Sequence, residues 1–422
     1  MARIVIHKLG PVDHCEMEIS RFTVLTGAQA SGKSTAAKAV FFCRTVKDDI
    51  YDIVLRQLLP GTARELRNDT IRCLHSKFQQ MFGDPRTLDA EMKVEYYYGD
   101  QTYIRISHPT AKDGLLQFEF SQDIEFFLQR VSVKENADRN VLRFMVNSVF
   151  QDEYETLFIP SGRSVIALLT SQLSYLFATM DDEQKQTIDY CTQKYIERVL
   201  RIRPLFENGI SGLIRQKQNT AGAGSDYEIV DKMLELIYGI LKGRYVYKDG
   251  EERLYITDSQ YVKMSYTSSG QQETVWLFNI LLHLMVNHTK AYIILEEPEA
   301  HLYPQSQKSM VELLALFFNQ SCGVMLTTHS PYILGALNNL IYAAHLSGNK
   351  DFEEGVAEKV DPLYWVKEPK AWFLAGGEMK SCMEPEQEGG LIVNEVIDGA
   401  SAEINALYDR LFDMEYRREE SV

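Results

Sequence analysis

Gly27-Ala28-Gln29-Ala30-Ser31-Gly32-Lys33-Ser34-Thr35 fits the pattern G-x-x-x-x-G-K-[ST] at every fixed position. Apolar residues 22–25 lead into it and residues 34–44 after it have helix-forming composition, so the local order is strand, loop, helix. That order gives each residue a task. Gly27 permits the tight turn out of the strand, and successive backbone N–H groups, with the positive end of the following helix, make a concave anion site. In this pattern Lys33 reaches the β- and γ-phosphates of a nucleotide and the Ser34 hydroxyl ligates Mg2+. Read alone, the stretch is a phosphate cradle shared by many kinds of nucleotide-binding protein.

Three further stretches narrow that reading. Tyr292-Ile293-Ile294-Leu295-Glu296-Glu297 is an apolar strand ending in two carboxylates. Neighbouring strand residues point to opposite sides, so the two acids take different roles. Glu296 is assigned to the metal, through water, and Glu297 to the attacking water as base or orienter. An acidic pair after a strand also suits a helix start, and only the company of the phosphate loop favours the chemical role. Thr327-Thr328-His329-Ser330 follows another apolar strand, where His329 can sense a γ-phosphate. Thr267-Ser268-Ser269-Gly270-Gln271-Gln272 opens a helix over 273–286 and offers hydroxyls and free N–H groups at a positive helix end. Its alternative is a plain serine N-cap.

The rest of the 422 residues supplies context. A content of 45% hydrophobic residues can bury a large core, and no apolar run approaches the ~18–20 residues that cross a bilayer, which places the chain in the cytoplasm with no membrane partner. Six cysteines without a CxxC pair argue against a zinc site or a disulfide framework. A net charge of -15 disfavours a chain coated for nucleic acid. One basic cluster, Lys194, Arg198, Arg201, Arg203, Arg215 and Lys217, reads either as a solvated or partner-facing helix surface or as a DNA or RNA contact.

Strands are expected at 3–7, 16–19, 22–25, 92–98, 101–106, 115–120, 157–160, 244–248, 254–256, 291–295, 323–326, 363–366 and 371–373. Helices are expected across 48–82, 124–150, 164–241 and around 402–412, with a linker at 218–225 and a capping box from Ser225 to Glu228. Gly99 and Gly250 each follow an Asp or precede one in hairpin turns.

The four motifs, in this order, resemble the ABC-type ATPase head, with TSSGQ in place of the LSGGQ signature. Within that class the opening IVIHKLGPVDHCEMEISRFTVLTGAQASGKST, together with LEEPEAHLYPQSQ and LTTHSPYIL, is similar to the RecF/SMC/OLD-like ATPases, the bacterial OLD-like pattern above all. The likeness covers 1–45 and 243–345 well. It implies an α/β P-loop NTPase of ABC-ATPase type, a mixed sheet core with an antiparallel β subdomain and helical insertions. The core is assigned to 1–45 and 243–422, with strands from 91–121 and 155–163, and the insertions to 46–90, 122–150 and 164–242.

The resemblance further implies that the ligands are ATP and Mg2+, and that two chains clamp two ATP molecules. Residues 27–35 of one subunit would then face Ser268, Ser269, Gly270 and Gln271 of the other, with residues 299–302 crossing between sites and His329 as the switch. One phosphate loop and one signature make a homodimer the simplest assembly. Glu296 stands where the family has Asp, Gln29 where Asn is frequent and Ala30 where Gly is frequent. Arg163, in Ser161-Gly162-Arg163, resembles an IPxxR pattern and is a candidate contact for phosphate or metal-bound water, with a surface ion pair as the alternative. No sustained heptad arm occurs in 164–241, and no Toprim nuclease counterpart is found after His329. The expectation is an ATPase that acts as a switch or motor for a separate effector, a nuclease or toxin, in phage defence or DNA processing. The rivals are an ATP-bound scaffold with little turnover and a RecF-like DNA-repair ATPase.

Overall fold

The computed structural model describes residues 2–57, 65–108, 116–131, 138–185, 187–210, 212–215, 228–385, 389–393 and 406. In chain order the elements are β1 (Ala2–Leu9), β2 (Val12–Ile19), β3 (Phe22–Gly27), α1 (Lys33–Arg44), α2 (Val46–Gln57), α3 (Leu66–Phe82), β4 (Lys93–Tyr97), β5 (Tyr103–Ser107) and β6 (Gln117–Phe120). There follow α4 (Gln122–Arg130), α5 (Arg139–Phe150), β7 (Glu155–Ile159), α6 (Arg163–Thr179), α7 (Asp182–Lys185), α8 (Tyr190–Ile202), α9 (Glu228–Leu241), β8 (Arg244–Lys248), β9 (Glu251–Tyr255) and β10 (Tyr261–Lys263). The last described set is α10 (Ser269–Val286), β11 (Ala291–Glu296), α11 (Pro304–Asn319), β12 (Gly323–Thr328), α12 (Pro331–Leu346), α13 (Lys350–Ala357), β13 (Lys370–Ala375) and β14 (Glu378–Ser381).

Strand composition sorts the main sheet into two halves. The order is β6-β5-β4-β1-β2-β14-β13-β3-β12-β11-β7. β13, β3, β12, β11 and β7 run parallel to one another. β3, β11 and β12 are buried at every position, because helices cover both faces and leave no place for alternating polar residues. The half from β6 to β2 is antiparallel and alternates buried and more exposed positions in β4, β5 and β6. Two cores result: one joins α8, α9, α10, α11 and α12 to one sheet face, and the other joins α1, α2, α3 and the antiparallel half. The expected fold class, a mixed sheet core with an antiparallel β part and helices inserted between strands, is the one observed.

Several expected boundaries change. The helix expected over 48–82 is two helices, α2 and α3, with 58–64 outside the described residues. The strand expected at 363–366 is a single 3-10 turn, Pro362–Tyr364, whose start is capped by Asp361. The strand expected at 371–373 is the middle of β13, and β13 lies beside the strand that carries the phosphate loop. The hairpin at 244–256 gains a third strand, β10, as a separate small sheet. The linker, Ser225 of its capping box and the helix expected at 402–412 lie outside the described residues, apart from residue 406, while Glu228 of that box opens α9. No helix among the described residues is long and apolar enough to cross a membrane.

The small sheet leans on α10 through aromatic contacts, Tyr245 on Trp276 at 5.3 Å and Phe206 on Trp276 at 6.4 Å. Beneath them lies the half-buried Glu252, whose enclosed carboxyl faces Tyr245 and Trp276. Burial pushes its carboxyl from 4.5 to about 7, against the opposing pull of Arg203. A folded state that holds this proton more tightly than the unfolded chain is stabilised below about 4.5 and loses that contribution as pH rises to about 7. Glu252→Gln should therefore raise stability at pH 8 by about 3 kcal/mol and change it little at pH 4, as read by denaturant melts at both values.

Candidate nucleotide site

The parallel strands end level with one another. Thr26 pairs with Thr328, Glu296 with Thr327 and Leu295 with Ile159, so β3, β11, β12 and β7 deliver their next residues to one edge. Ligands in open α/β sheets collect at that carboxyl edge. At β3 the chain turns at Gly27 (φ 142), passes Ala30 (φ 59) and enters α1 from Gly32 (φ 105). A side chain at Gly27 would place Cβ 2.2 Å from the Leu374 carbonyl oxygen, and one at Gly32 would come 2.8 Å from Val12. α1 has no side-chain cap and no acid in its first turn, which leaves its positive end turned to the loop. Ser34 is exposed there and Thr35 half-buried.

Lys33 folds back into the loop. Its Nζ donates to the carbonyls of Gly27 at 3.0 Å and Ala28 at 2.6 Å. Burial lowers its pKa below 10.5, partly offset by Glu297 and Glu299. Those two acids therefore face the phosphate loop from β11's end. Glu297 adopts φ 43, its N–H donates to Thr327 O at 3.0 Å, and its Oε1 lies 2.8 Å from His329 Nε2. Glu299 Oε1 accepts from Thr328 Oγ1 at 2.7 Å and from the His329 N–H at 3.0 Å, which fixes the loop that carries the histidine.

Four buried polar atoms at this edge have no hydrogen-bond partner: Thr26 Oγ1, Glu296 Oε1, Glu299 Oε2 and His329 Nδ1. Buried polar atoms are rarely left so, and their gathering at one place is the trace of a polar ligand. Glu296 is buried, and its other oxygen accepts only the Ser161 N–H at 3.3 Å. An enclosed carboxylate with a free oxygen, near an exposed serine hydroxyl, fits a hard divalent cation. Among the described residues no group of three or more His, Cys, Asp or Glu could hold a metal, so remaining ligands would have to be phosphate oxygens and water.

Ser268 caps α10 in a full capping box. Its Oγ accepts from Gln271 N–H at 3.4 Å, and Gln271 Oε1 accepts from Ser268 N–H at 3.0 Å. The serine cap and the exposed hydroxyl thus coexist, and Ser268 remains at the surface. Gly270 packs against the His301 carbonyl, where a Cβ would come to 2.6 Å.

Arg163 is not where the resemblance suggested. Its side chain is wholly buried against Glu273, and its donors are used on carbonyls of Pro160, Glu296, Glu297 and Glu273. It therefore supports the acidic turn from behind, with four of its five side-chain N–H groups bonded to carbonyls and Nη2 in ion-pair contact with Glu273 at 3.3 Å. Glu273, unnoticed in the sequence, is equally buried; an acid at the head of the largely apolar run 274–286 was the available signal. The basic cluster also turns inward in part. Arg198 is buried and pairs with Glu155 at 2.7 Å, Lys194 pairs with Glu197 at 2.9 Å, Arg203 lies over Tyr247 at 4.8 Å, and Lys217 lies outside the described residues.

One family model and several solved structures are similar to parts of this chain. The AAA ATPase domain family matches residues 154–334, which run from β7 to α12 and take in Arg163, the signature, both acids and His329. No curated protein matches the chain. Among solved structures, an SmcHead bound to the C-winged helix domain of ScpA aligns over 90% of this chain and 95% of its own, at 13% identity and TM-score 0.43. An Smc head domain with an extended coiled coil, bound to the C-terminal domain of ScpA derived from Pyrococcus furiosus, aligns over 92% and 98% at 12% identity and TM-score 0.40. The SMC head domain from Thermotoga maritima aligns over 90% and 97% at 10% identity and TM-score 0.37.

Proposed function

We propose that this chain binds ATP with Mg2+ on residues 27–35 and hydrolyses the γ-phosphate bond, in a homodimer that opens and closes with the nucleotide and so switches a separate effector protein. The observation that carries the reading is the Glu297–His329 contact at 2.8 Å, set beside Lys33 at the edge where four buried polar atoms lack partners. The match of 154–334 to an ATPase domain supports the same reading.

Lys33 would exchange its two loop carbonyls for phosphate oxygens, a trade of neutral acceptors for charged ones. Glu297 would take the proton of the attacking water, and His329, already in contact, would hold the carboxylate toward that water. Ser34 and, through water, Glu296 would hold Mg2+, which would supply charge neutralisation at the phosphates. Ser268 and Gly270 would complete the partner's site, and the surface position of the α10 cap suits that use. The effector, a nuclease or toxin in phage defence or DNA processing, is inferred from the resemblance to OLD-like proteins.

The shared site has a direct test by mixing. Lys33→Ala should abolish turnover by losing phosphate binding, and Ser268→Arg should abolish it by blocking the partner's site. Mixed dimers keep one site with both halves intact, so the mixture should regain turnover that neither variant has alone. A mixture as inactive as its parts would contradict the two-chain site.

A further inference from the structure

We propose that Arg163 and Glu273 form a positioning device that ties the signature end of α10 to the backbone of Glu296 and Glu297, so that the signature, which serves one nucleotide, sets the base for the other. The inference deepens the proposed function and rests on its reading of Glu297 as base.

The geometry carries it. Arg163 Nη1 donates to the carbonyls of Glu296 at 2.7 Å and Pro160 at 2.8 Å, Nη2 donates to the carbonyl of Glu297 at 3.1 Å, and Nε donates to that of Glu273 at 3.0 Å. Nη2 also lies 3.3 Å from Glu273 Oε1. Four N–H groups thus bond four carbonyls while the charge of the fork meets Glu273, a planar arrangement that only arginine provides. Glu273 does more than neutralise it. Its Oε1 accepts from the Arg163 N–H at 3.0 Å and its Oε2 from the Ser164 N–H at 2.7 Å, which caps α6 from inside the fold.

Both side chains are 0% exposed, and fully buried ion pairs contribute little to stability compared with apolar residues of similar size. What an apolar pair cannot do is hold four carbonyls in fixed places. One of those belongs to Glu297, whose φ of 43 is unfavourable for a residue with a side chain and persists only under restraint from its surroundings. Arg163 grips its carbonyl on one side and Thr327 O accepts its N–H on the other.

Glu273 lies on the same rigid helix as Ser268, one turn and a half further on, and Gly270 of that helix abuts His301 at the far end of the acidic loop. A movement of α10 when Ser268 meets the partner's nucleotide is therefore delivered to the acidic loop at two points, the Glu297 carbonyl through Arg163 and the His301 carbonyl through Gly270. Closure at one site then speeds hydrolysis at the other, about ten- to a hundred-fold, without being required for it, so a dimer with one intact site keeps a reduced turnover.

Three variants in the full chain test this: Arg163→Lys, Glu273→Gln, and the apolar pair Arg163→Met with Glu273→Leu. For the two single variants we expect kcat to fall about ten- to a hundred-fold with the ATP KM moving less than about three-fold, since a misplaced base affects the reaction more than binding. Cooperativity in ATP concentration should disappear. The apolar pair should keep the wild-type melting temperature and still lack turnover, which separates positioning from support of the fold. Amide hydrogen exchange over residues 296–301 should quicken about ten-fold in all three, and this readout needs no turnover. Wild-type turnover and exchange in the apolar pair would overturn the proposal. Absence of phosphate release in the wild type would instead sink the ATPase reading, leaving the exchange comparison to decide whether the pair fixes the loop.

Discussion

Glu297→Gln should lower ATP turnover by about a thousand-fold while nucleotide stays bound, because it removes the group proposed to accept the proton and little else. The amide has the shape of the carboxylate, so the 2.8 Å contact with His329 survives as a neutral hydrogen bond and the N–H of residue 297 keeps its bond to Thr327 O. Neither Lys33 nor the phosphate loop is touched. Binding should hold or tighten, and a dimer that forms on ATP but cannot hydrolyse it should accumulate, visible by light scattering with Mg·ATP. Turnover within about three-fold of wild type would assign the proton transfer to another group.

The second large effect is on the fold. Gly27→Ala should cost about 3 kcal/mol or more, since the new Cβ would stand 2.2 Å from the Leu374 carbonyl oxygen and 3.1 Å from the Leu374 nitrogen at a φ of 142. Backbone sits on the other side, not a yielding side chain. β13 pairs Leu374 with Gly27, so relief requires that strand to part from β3. The loss would spread to β14 and to the link from Gly377 O to the Asp13 and His14 N–H groups. Gly250→Ala is the control: φ there is 78 and nothing lies within 4 Å, so only the dihedral cost of about 1 kcal/mol applies. Chemical denaturation of the two variants should differ accordingly.

These two residues also mark how far the sequence could be read. The phosphate loop, the acidic strand and the serine-capped helix were legible because each is a local pattern whose chemistry depends on spacing along the chain. The α/β core followed from short apolar runs separated by helices, and β3, β11 and β12 are such runs, buried at every position. What failed was non-local. Lys370–Ala375 reads as an isolated strand near the end of the chain, and nothing in it says that it lies against Gly27. Likewise Arg163 near a glycine reads as a phosphate contact, and only the burial of Glu273 beside it reveals a support for the acidic turn. The alternation in residues 363–366 was too short to distinguish a strand from the turn that Asp361 caps.

Glu299 shows the remaining gap between motif and geometry. In sequence it is one more acid after a strand, yet it fixes the His329 backbone and leaves Oε2 buried without a partner. Its role depends on β11 and β12 being neighbours, which the order of motifs suggested but could not locate.

The most direct test of the account is phosphate release by the purified wild-type chain with Mg·ATP, measured beside analysis of the nucleotide that stays bound. The account predicts steady release that rises more steeply than the first power of chain concentration in the dilute range, as a two-chain site requires. Tightly retained ATP with no release would contradict it and favour a nucleotide-bound scaffold.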